Sequence, residues 1–295
     1  MFSGCSQLNY VECLATDISA GGCTSRWLKG VSATGTFVKD PAMTGWTTGE
    51  DGIPEGWTVT EPDFVDLGLS VKWGTRNLGA SQPDGYGDYY TWADTSPNSA
   101  KAYAYYDDYG YKWNGTDDWR HLTKYTFADG EVRGSWYAGD EFVGDGKKSY
   151  ADYAYSDDPA RAVFGAPSRT PGSAEWNELI ASCTWTWKTT ADGYATNGYL
   201  VSSNVRGYEA YSIFLPAGGR ITGNTNGGEG TWGYYWSSEL GSTSYFGKIL
   251  QFWSENIEVT EGLRDVGHFV RPVKPKTEEI TSPSPVYNTW EDANW

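Results

Sequence analysis

From residue 183 onward the sequence is a series of short segments in which apolar and polar residues alternate. Alternation with period two is typical of strands, because successive side chains of a strand point to opposite faces. The alternating segments cover residues 183–187, 199–201, 212–215, 233–236, 248–259 and 268–271. Gly-rich turns separate them, and the chain holds 37 Gly, enough to close many tight turns. The second half of the chain is therefore predicted to be a succession of short strands.

Two helices are predicted before these strands. Pro171 and Gly172 open the longer one, and Glu175 lies in its first turn, where the helix dipole favours an acid. Its apolar face follows the spacing i, i+3, i+4, i+7 and consists of Trp176, Leu179, Ile180 and Cys183. A short helix is predicted over residues 159–164, with Asp157 or Asp158 as its N-cap.

The middle of the chain is less regular. Residues 65–73 alternate and predict a strand, and residues 86–92 predict another. Residues 94–165 form a long irregular stretch rich in Tyr, Asp and Gly. A stretch of this length within a compact domain is usually functional or packed on itself.

The N-terminal segment has a different spacing. Phe2, Cys5, Leu8 and Val11 lie three apart, as expected where each coil of a stacked repeat buries one residue. The run MFSGCSQLNYVECLATDISAGGCTSRWLKGV, with GTFVKDPAMTGWTTGEDGIPEGWTV after it, resembles the last repeat and C-terminal cap of BspA-like leucine-rich repeat proteins. The resemblance implies a leucine-rich-repeat remnant as a first domain over residues 1–60. Further repeats are expected upstream, so that the native N-terminus is missing.

Residues 65–274 resemble a second family. The matching pieces are VDLGLSVKWGTRNLGAS, GDYYTWADTSP, AEWNELIASCTWTW, SIFLPAGG, GYYWSSE and HFVRPVK, and they resemble the Fibrobacter major paralogous domain, which is similar to C-type lectins. The resemblance implies an α+β, C-type-lectin-like domain over residues 61–274, with small antiparallel sheets, one or two helices and long loops. Gly172 stands where the family has a capping Thr, so a weak helix start is expected. Residues 275–295 are predicted to be an extended tail.

Some proteins with this fold are diversified by retroelements between a GYYWSS-like strand and the RPV strand, a window that corresponds to residues 239–269. Within it, Leu250 and Phe252 share one strand face, which we assign to the scaffold. Ile249, Gln251 and Trp253 share the other, and a mixed face with Trp suits a contact surface. The alternative is that both faces are buried. The candidate ligand-binding residues are Tyr245, Phe246, Ile249, Gln251, Trp253, Glu255, Glu258, Glu261, Leu263 and Asp265.

Charge and rare residues exclude several functions. A net charge of -16 makes nucleic acid a poor partner, because phosphate binding needs Lys and Arg. Only His121 and His268 occur, and neither lies in a nucleophile motif, so no catalytic residue is predicted. We expect His268 to make a structural hydrogen bond. The sequence also predicts no metal site, no cofactor and no membrane insertion.

Four cysteines occur: Cys5, Cys13, Cys23 and Cys183. Their spacing forms neither a metal cluster nor an even disulfide framework. Free, buried thiols are the favoured prediction, with one disulfide among the first three as the alternative. Cys183 is assigned to the core.

The function predicted from these features is a non-enzymatic ligand- or receptor-binding surface protein. It would be an adhesin or a phage receptor-binding protein, displaying residues 239–269 to a protein or glycan on another cell or host surface. The expected location is the surface of a bacterium or a phage virion. The alternatives are a structural spacer or cap in such an assembly and, with less support, a carbohydrate-active enzyme.

Overall fold

The computed structural model describes residues 2–13, 15, 18, 21–39, 46–60, 62–97, 122, 124–127, 137–138, 141–142, 144–223 and 225–276. The strands in these residues are β1 (Tyr10–Cys13), β2 (Gly35–Lys39), β3 (Trp57–Thr60), β4 (Phe64–Asp66), β5 (Val71–Gly74), β6 (Tyr137–Ala138), β7 (Glu141–Phe142), β8 (Cys183–Lys188), β9 (Gly198–Ser203), β10 (Ser212–Pro216), β11 (Gly218–Thr222), β12 (Thr225–Glu229), β13 (Gly233–Leu240), β14 (Phe246–Trp253), β15 (Asn256–Leu263) and β16 (Val273–Pro275). The helices are α1 (Pro159–Phe164) and α2 (Ser173–Ser182), with 3-10 turns at Tyr150–Tyr153 and Thr190–Asp192.

The strands form several small sheets. The largest has the order β12-β11-β13-β14-β15, and two three-stranded sheets have the orders β10-β9-β8 and β16-β5-β4. Strands β1, β2 and β3 form a separate sheet, and β6 pairs with β7.

The predicted α+β class is wrong, because the structure is 38 % strand and 10 % helix. The two α-helices in the described residues hold only six and ten residues, too few to build a helical layer of their own. Glycine-rich turns and alternating aromatic residues commit far more of the chain to strands than to helices. The same alternation correctly predicted strands at residues 183–187, 199–201, 212–215 and 233–236, whereas residues 248–259 divide between β14 and β15 and residues 268–271 form only isolated bridges.

The N-terminal sheet is parallel, with Tyr10 opposite Thr36 and Gly35 opposite Trp57. Its apolar cluster is built around Val11, Leu28, Phe37, Ile53 and Trp57. Of the four residues spaced three apart, Val11 is buried and Leu8 half-buried, whereas Phe2 and Cys5 are exposed. The prediction that these four residues are buried therefore holds for Leu8 in part and for Val11, and is wrong for Phe2 and Cys5. The family assignment of this segment and the boundary at residue 60 stay predictions.

Two apolar cores lie on opposite faces of the five-stranded sheet. The larger includes Leu250, Phe252 and Trp176 of α2. The second includes Trp236 and Trp92. Central strands β13 and β14 are consequently covered on both faces, whereas antiparallel strands commonly expose one face to solvent.

Both helices begin with a carboxylate at their N-terminus. The Asp158 side chain accepts a 2.9 Å hydrogen bond from the Ala160 backbone N–H, which confirms a helix over 159–164 and selects Asp158 over Asp157 as the cap. At α2 the Glu175 carboxylate accepts from the Gly172 N–H at 2.8 Å. Glu175 thereby supplies the capping oxygen that Gly172 lacks.

A buried arginine holds part of the long irregular stretch against the sheet. The Arg264 guanidinium donates to the carbonyl oxygens of Lys124, Tyr125 and Ser244, at 3.0, 2.9 and 2.7 Å. It also lies 4.7 Å from the Trp92 ring centroid, a cation–π distance. The described part of the stretch is thus packed on the second core.

Two other local predictions are corrected. Residues 86–92 form no strand, only an isolated bridge between Tyr90 and His268. The tail does not begin at residue 275, because Pro275 belongs to β16 and the Lys276 ammonium lies 2.8 Å from the Asp66 carboxylate. Residues 277–295 lie outside the described part of the chain.

The cysteines are free, as predicted, but their burial differs from the prediction. Cys183 is buried, and burial raises the pKa of its thiol to about 11. Cys5 and Cys23 are exposed and Cys13 is half-buried. The prediction of buried thiols is wrong for the N-terminal three, because the small N-terminal sheet leaves its first turns in solvent.

Candidate functional site

The middle of strand β14 is buried on both faces. Leu250 and Phe252 are fully buried in the larger core, which confirms their assignment to the scaffold. Ile249 on the opposite face is only 2 % exposed and packs in the second core, paired with Trp236. The prediction that Ile249 contacts a ligand is therefore wrong. Alternation within β14 cannot reveal that Trp92, a residue distant in sequence, packs in the core that covers this face.

The other predicted contact residues lie near the two ends of the β14–β15 hairpin. The antiparallel register runs from the pair Phe246–Leu263 to the pair Trp253–Asn256. At about 3.3 Å per residue, the eight-residue strand separates these ends by about 23 Å. Residues 239–269 thus present two separate surfaces with a buried middle.

The first end carries apolar residues that contact each other. The Tyr245 and Phe246 rings are 4.7 Å apart, and both side chains are half-buried. Leu263, opposite Phe246 in the register, is 45 % exposed.

The acidic residues at this end serve the loop structure. The Glu261 carboxylate accepts hydrogen bonds from the Ser242 N–H and hydroxyl, at 2.7 and 2.8 Å. Burial raises the pKa of Asp265. Glu255, by contrast, is exposed at the other end of the hairpin, in the turn between β14 and β15. These three carboxylates do not converge on one point of the surface.

The second end brings aromatic and polar side chains together. We define the aromatic face as Trp232, Tyr234, Gln251, Trp253 and Glu258. The strand register places Tyr234 opposite Gln251, and Gln251 opposite Glu258. Side chains in one such row lie on the same side of the sheet. Three predicted contact residues therefore meet here two aromatic residues that were assigned to no site.

The rings of the aromatic face pack in a chain. The Trp232 ring lies 4.5 Å from Trp253 and 6.1 Å from Tyr234, and is nearly parallel to the latter. The Arg220 guanidinium lies 5.2 Å from the Tyr234 ring centroid. Both tryptophans are half-buried, so each ring keeps a solvent-facing part.

Backbone hydrogen bonds hold Trp232 in place. Its N–H donates to the Gly228 carbonyl at 2.8 Å, and its own carbonyl accepts from the Gly219 N–H at 2.7 Å. Gly228 adopts a φ of +84°, which L side chains rarely adopt. The turn after β12 thus fixes the position of the Trp232 ring.

The polar row supplies hydrogen-bonding groups beside the rings. The Gln251 amide donates to the Glu258 carboxylate at 3.4 Å. Glu258 is exposed and Gln251 half-buried, so the amide oxygen and a carboxylate oxygen keep lone pairs for a ligand.

A buried histidine lies next to the aromatic face. The His268 ring stacks on Tyr234 at 5.3 Å and lies 4.3 Å from Trp236. Both of its ring nitrogens are buried without a hydrogen-bond partner among the described residues, so the predicted structural hydrogen bond is wrong. Burial, assisted by the Arg220 charge, lowers the pKa of His268 to about 3. The imidazole is therefore neutral at physiological pH, and His121 lies outside the described residues.

Sequence reasoning missed Trp232, Tyr234 and Arg220. Tyr234 belongs to the GYYWSSE segment, which precedes most of the predicted variable window of residues 239–269. A usable signal was present, since Trp232, Tyr234 and Trp236 alternate and must share one strand face. Only the pairing of β13 with β14 shows that this face continues into Gln251.

Comparison with family models, curated proteins and solved structures finds no match to this chain. Among the described residues, neither helix has the length and apolar character needed to cross a membrane. Within the same ranges, His, Cys, Asp and Glu side chains form no cluster of three suited to a metal ion.

Proposed function

We propose that this protein is a non-enzymatic binding module whose aromatic face contacts a neutral glycan. The observation that carries the proposal is the juxtaposition of the Trp232 and Trp253 rings with the Gln251–Glu258 pair. Ring surface and hydrogen-bonding groups are present together at one end of a rigid sheet.

The chemistry of this face matches that of a sugar. A pyranose ring has an apolar C–H side that packs on an aromatic ring and hydroxyl edges that donate and accept hydrogen bonds. Trp253 offers the ring surface, and the Gln251 amide and Glu258 carboxylate offer the polar partners. Strand placement favours this use, because sites on rigid elements lose less entropy on binding.

The composition and charge of the face favour a neutral glycan over a protein. A stable protein interface buries about 800 Å² per partner around an apolar centre. The aromatic face instead has two half-buried tryptophans flanked by charged Arg220 and Glu258. The net charge of -16 works against a polyanionic glycan at this face. A structural spacer or cap has no use for tryptophan rings that are held partly exposed to solvent.

The same proposal includes display on a bacterial surface or phage virion. It also includes variation within residues 239–269, where Gln251, Trp253 and Glu258 are the positions whose substitution would change the ligand. The resemblance of residues 65–274 to the major paralogous domain motivates both statements, and both stay proposals.

A glycan array carrying neutral and acidic oligosaccharides tests the proposal. The full chain should bind at least one neutral glycan. Trp253→Ala should weaken that binding at least tenfold, because truncating a central aromatic contact residue costs about 2 kcal/mol or more. Gln251→Ala should weaken it less.

Val163→Ala is the matched control, because Val163 is 55 % exposed on helix α1 and outside the aromatic face. It should leave glycan binding unchanged. Thermal unfolding of each variant separates lost folding from lost contact. Binding that survives Trp253→Ala in a folded variant, or no binding to any neutral glycan, contradicts the proposal.

A further inference from the structure

A cleft of about 550 Å³ lies between the N-terminal sheet and the sheet β16-β5-β4. This volume falls within the range of about 300–1,000 Å³ that small-molecule sites occupy. The cleft is separate from the aromatic face, with which it shares no lining residue.

One wall is the outward side of the parallel N-terminal sheet. Tyr10 and Glu12 of β1 alternate with the buried Val11, so both point away from the apolar cluster. Thr36 lies next to Tyr10 in the register, and Thr60 of β3 completes the wall. The cleft is therefore faced by hydroxyl groups and by the ring of Tyr10, which is 54 % exposed.

The opposite wall carries two lysines placed directly across from each other. Lys72 of β5 and Lys274 of β16 are register partners, and both line the cleft. Like charges directly opposite on neighbouring strands destabilise a sheet. Among the described residues, neither ammonium lies within ion-pair distance of a carboxylate. Asp66, the register partner of Lys72 on β4, is ion-paired with Lys276, so an anion held between Lys72 and Lys274 would reduce the repulsion that remains.

Aromatic rings lie beside these lysines. The Phe64 ring contacts Phe164 edge-on at 5.3 Å, and the Lys274 ammonium lies 5.9 Å from the Phe64 ring centroid. Both Phe side chains are half-buried and line the cleft. The wall thus offers aromatic ring surface next to positive charge.

The balance of charge in the cleft differs from that of the chain. The chain has 22 basic and 38 acidic residues, whereas the cleft is lined by three basic and two acidic residues. Of these, Arg76 and Asp63 form an ion pair with each other. This leaves Lys72 and Lys274 on one wall against the exposed Glu12 on the other.

We propose that this cleft binds an acidic saccharide, whose carboxylate or sulfate lies between Lys72 and Lys274. A sugar ring of the ligand packs against Phe64 and Tyr10, and its hydroxyls face Thr36 and Thr60. The site is independent of the proposed function, because it uses other residues and binds a charged ligand in place of a neutral one.

Calorimetric titration of the full chain tests this site with three probes. The probes are a galacturonate trisaccharide, a sulfated heparin tetrasaccharide and a neutral galactose trisaccharide. At least one acidic probe should bind and the neutral probe should not bind in the cleft. Lys72→Gln and Lys274→Gln should each weaken binding of the acidic probe about tenfold, and raised salt should weaken it further.

Two variants keep the test sharp. Lys72→Arg keeps the charge and should bind within about threefold of the original chain, whereas Lys188→Gln removes a lysine from β8, outside the cleft, and should change nothing. Trp253→Ala should also leave acidic-probe binding intact, which separates this site from the aromatic face. Failure of both acidic probes to bind, or binding that survives Lys72→Gln and Lys274→Gln, overturns the proposal.

Discussion

Replacing His268 by Leu should reduce the loss of folding stability that the protein undergoes as the pH falls below 6.5. His268 is fully buried, its two nitrogens lack partners among the described residues, and burial lowers its pKa to about 3 from an ordinary value of 6.5. The unfolded chain therefore binds a proton below pH 6.5 that the folded chain excludes. Stability contributed by the neutral ring is complete above pH 6.5 and is lost as the pH falls towards 3.

The magnitude follows from the two pKa values. Each pH unit in this window costs about 1.4 kcal/mol, so a fall from pH 7.5 to 4.5 should remove about 3 kcal/mol from the free energy of unfolding. The result depends little on the folded value, because any folded pKa well below 4.5 gives nearly the same loss. Leu has a similar volume to His, which limits packing changes around Tyr234 and Trp236.

Urea denaturation, followed by tryptophan fluorescence at pH 7.5, 6.5, 5.5 and 4.5, measures the effect. The informative quantity is the difference between the two proteins at each pH, because Asp158 and Asp265, whose pKa values burial raises, titrate in both. This difference should shift in favour of His268→Leu by about 3 kcal/mol between pH 7.5 and 4.5. A difference that stays constant to within about 0.5 kcal/mol would refute the buried, neutral imidazole.

Three substitutions and one control test local packing, helix capping and loop anchoring by urea midpoints. Gly262→Ala should lower the free energy of unfolding by about 1–3 kcal/mol, because its Cβ would lie 2.8 Å from the His268 Nε2 atom. The control Gly227→Ala, with open space around it, should lower it by about 1 kcal/mol less, and equal urea midpoints for the two variants would contradict this. Asp158→Ala should cost about 2–4 kcal/mol through the lost helix cap and the unpaired donors it leaves, and a loss under about 0.5 kcal/mol would show that the cap is not needed. Arg264→Leu should cost about 3 kcal/mol and speed proteolysis near residues 124–127, whose carbonyls it binds, and unchanged cleavage there would count against this anchor.

Local periodicity in the sequence predicted several strands and helices, but it did not predict which of their faces other segments cover. Residues 183–187 and 212–215 became strands, and Asp158 caps the short helix, because these features depend on neighbours in sequence. The fate of Ile249 depends on Trp92 and Tyr150, which lie more than 90 residues away and cover the second face of β14. No period in residues 248–259 contains that information.

The aromatic face shows the same division. Gln251, Trp253 and Glu258 were predicted from alternation within one hairpin. Trp232 and Tyr234 were not, because their membership depends on the register of β13 against β14. The cleft at Lys72 and Lys274 was missed for a similar reason, since the two lysines are 202 residues apart in sequence and adjacent only across the sheet.

Hydroxyl-radical footprinting of the unmodified chain tests the central claim most directly. The protein is labelled with and without a saturating neutral glycan identified on the array, and oxidation is quantified by mass spectrometry. Oxidation of Trp232 and Trp253 should fall severalfold with the glycan, whereas that of the exposed Tyr10, which belongs to the N-terminal sheet and not to the aromatic face, should not change. Unchanged oxidation of both tryptophans in the saturated complex would contradict the assignment of the aromatic face as the contact surface.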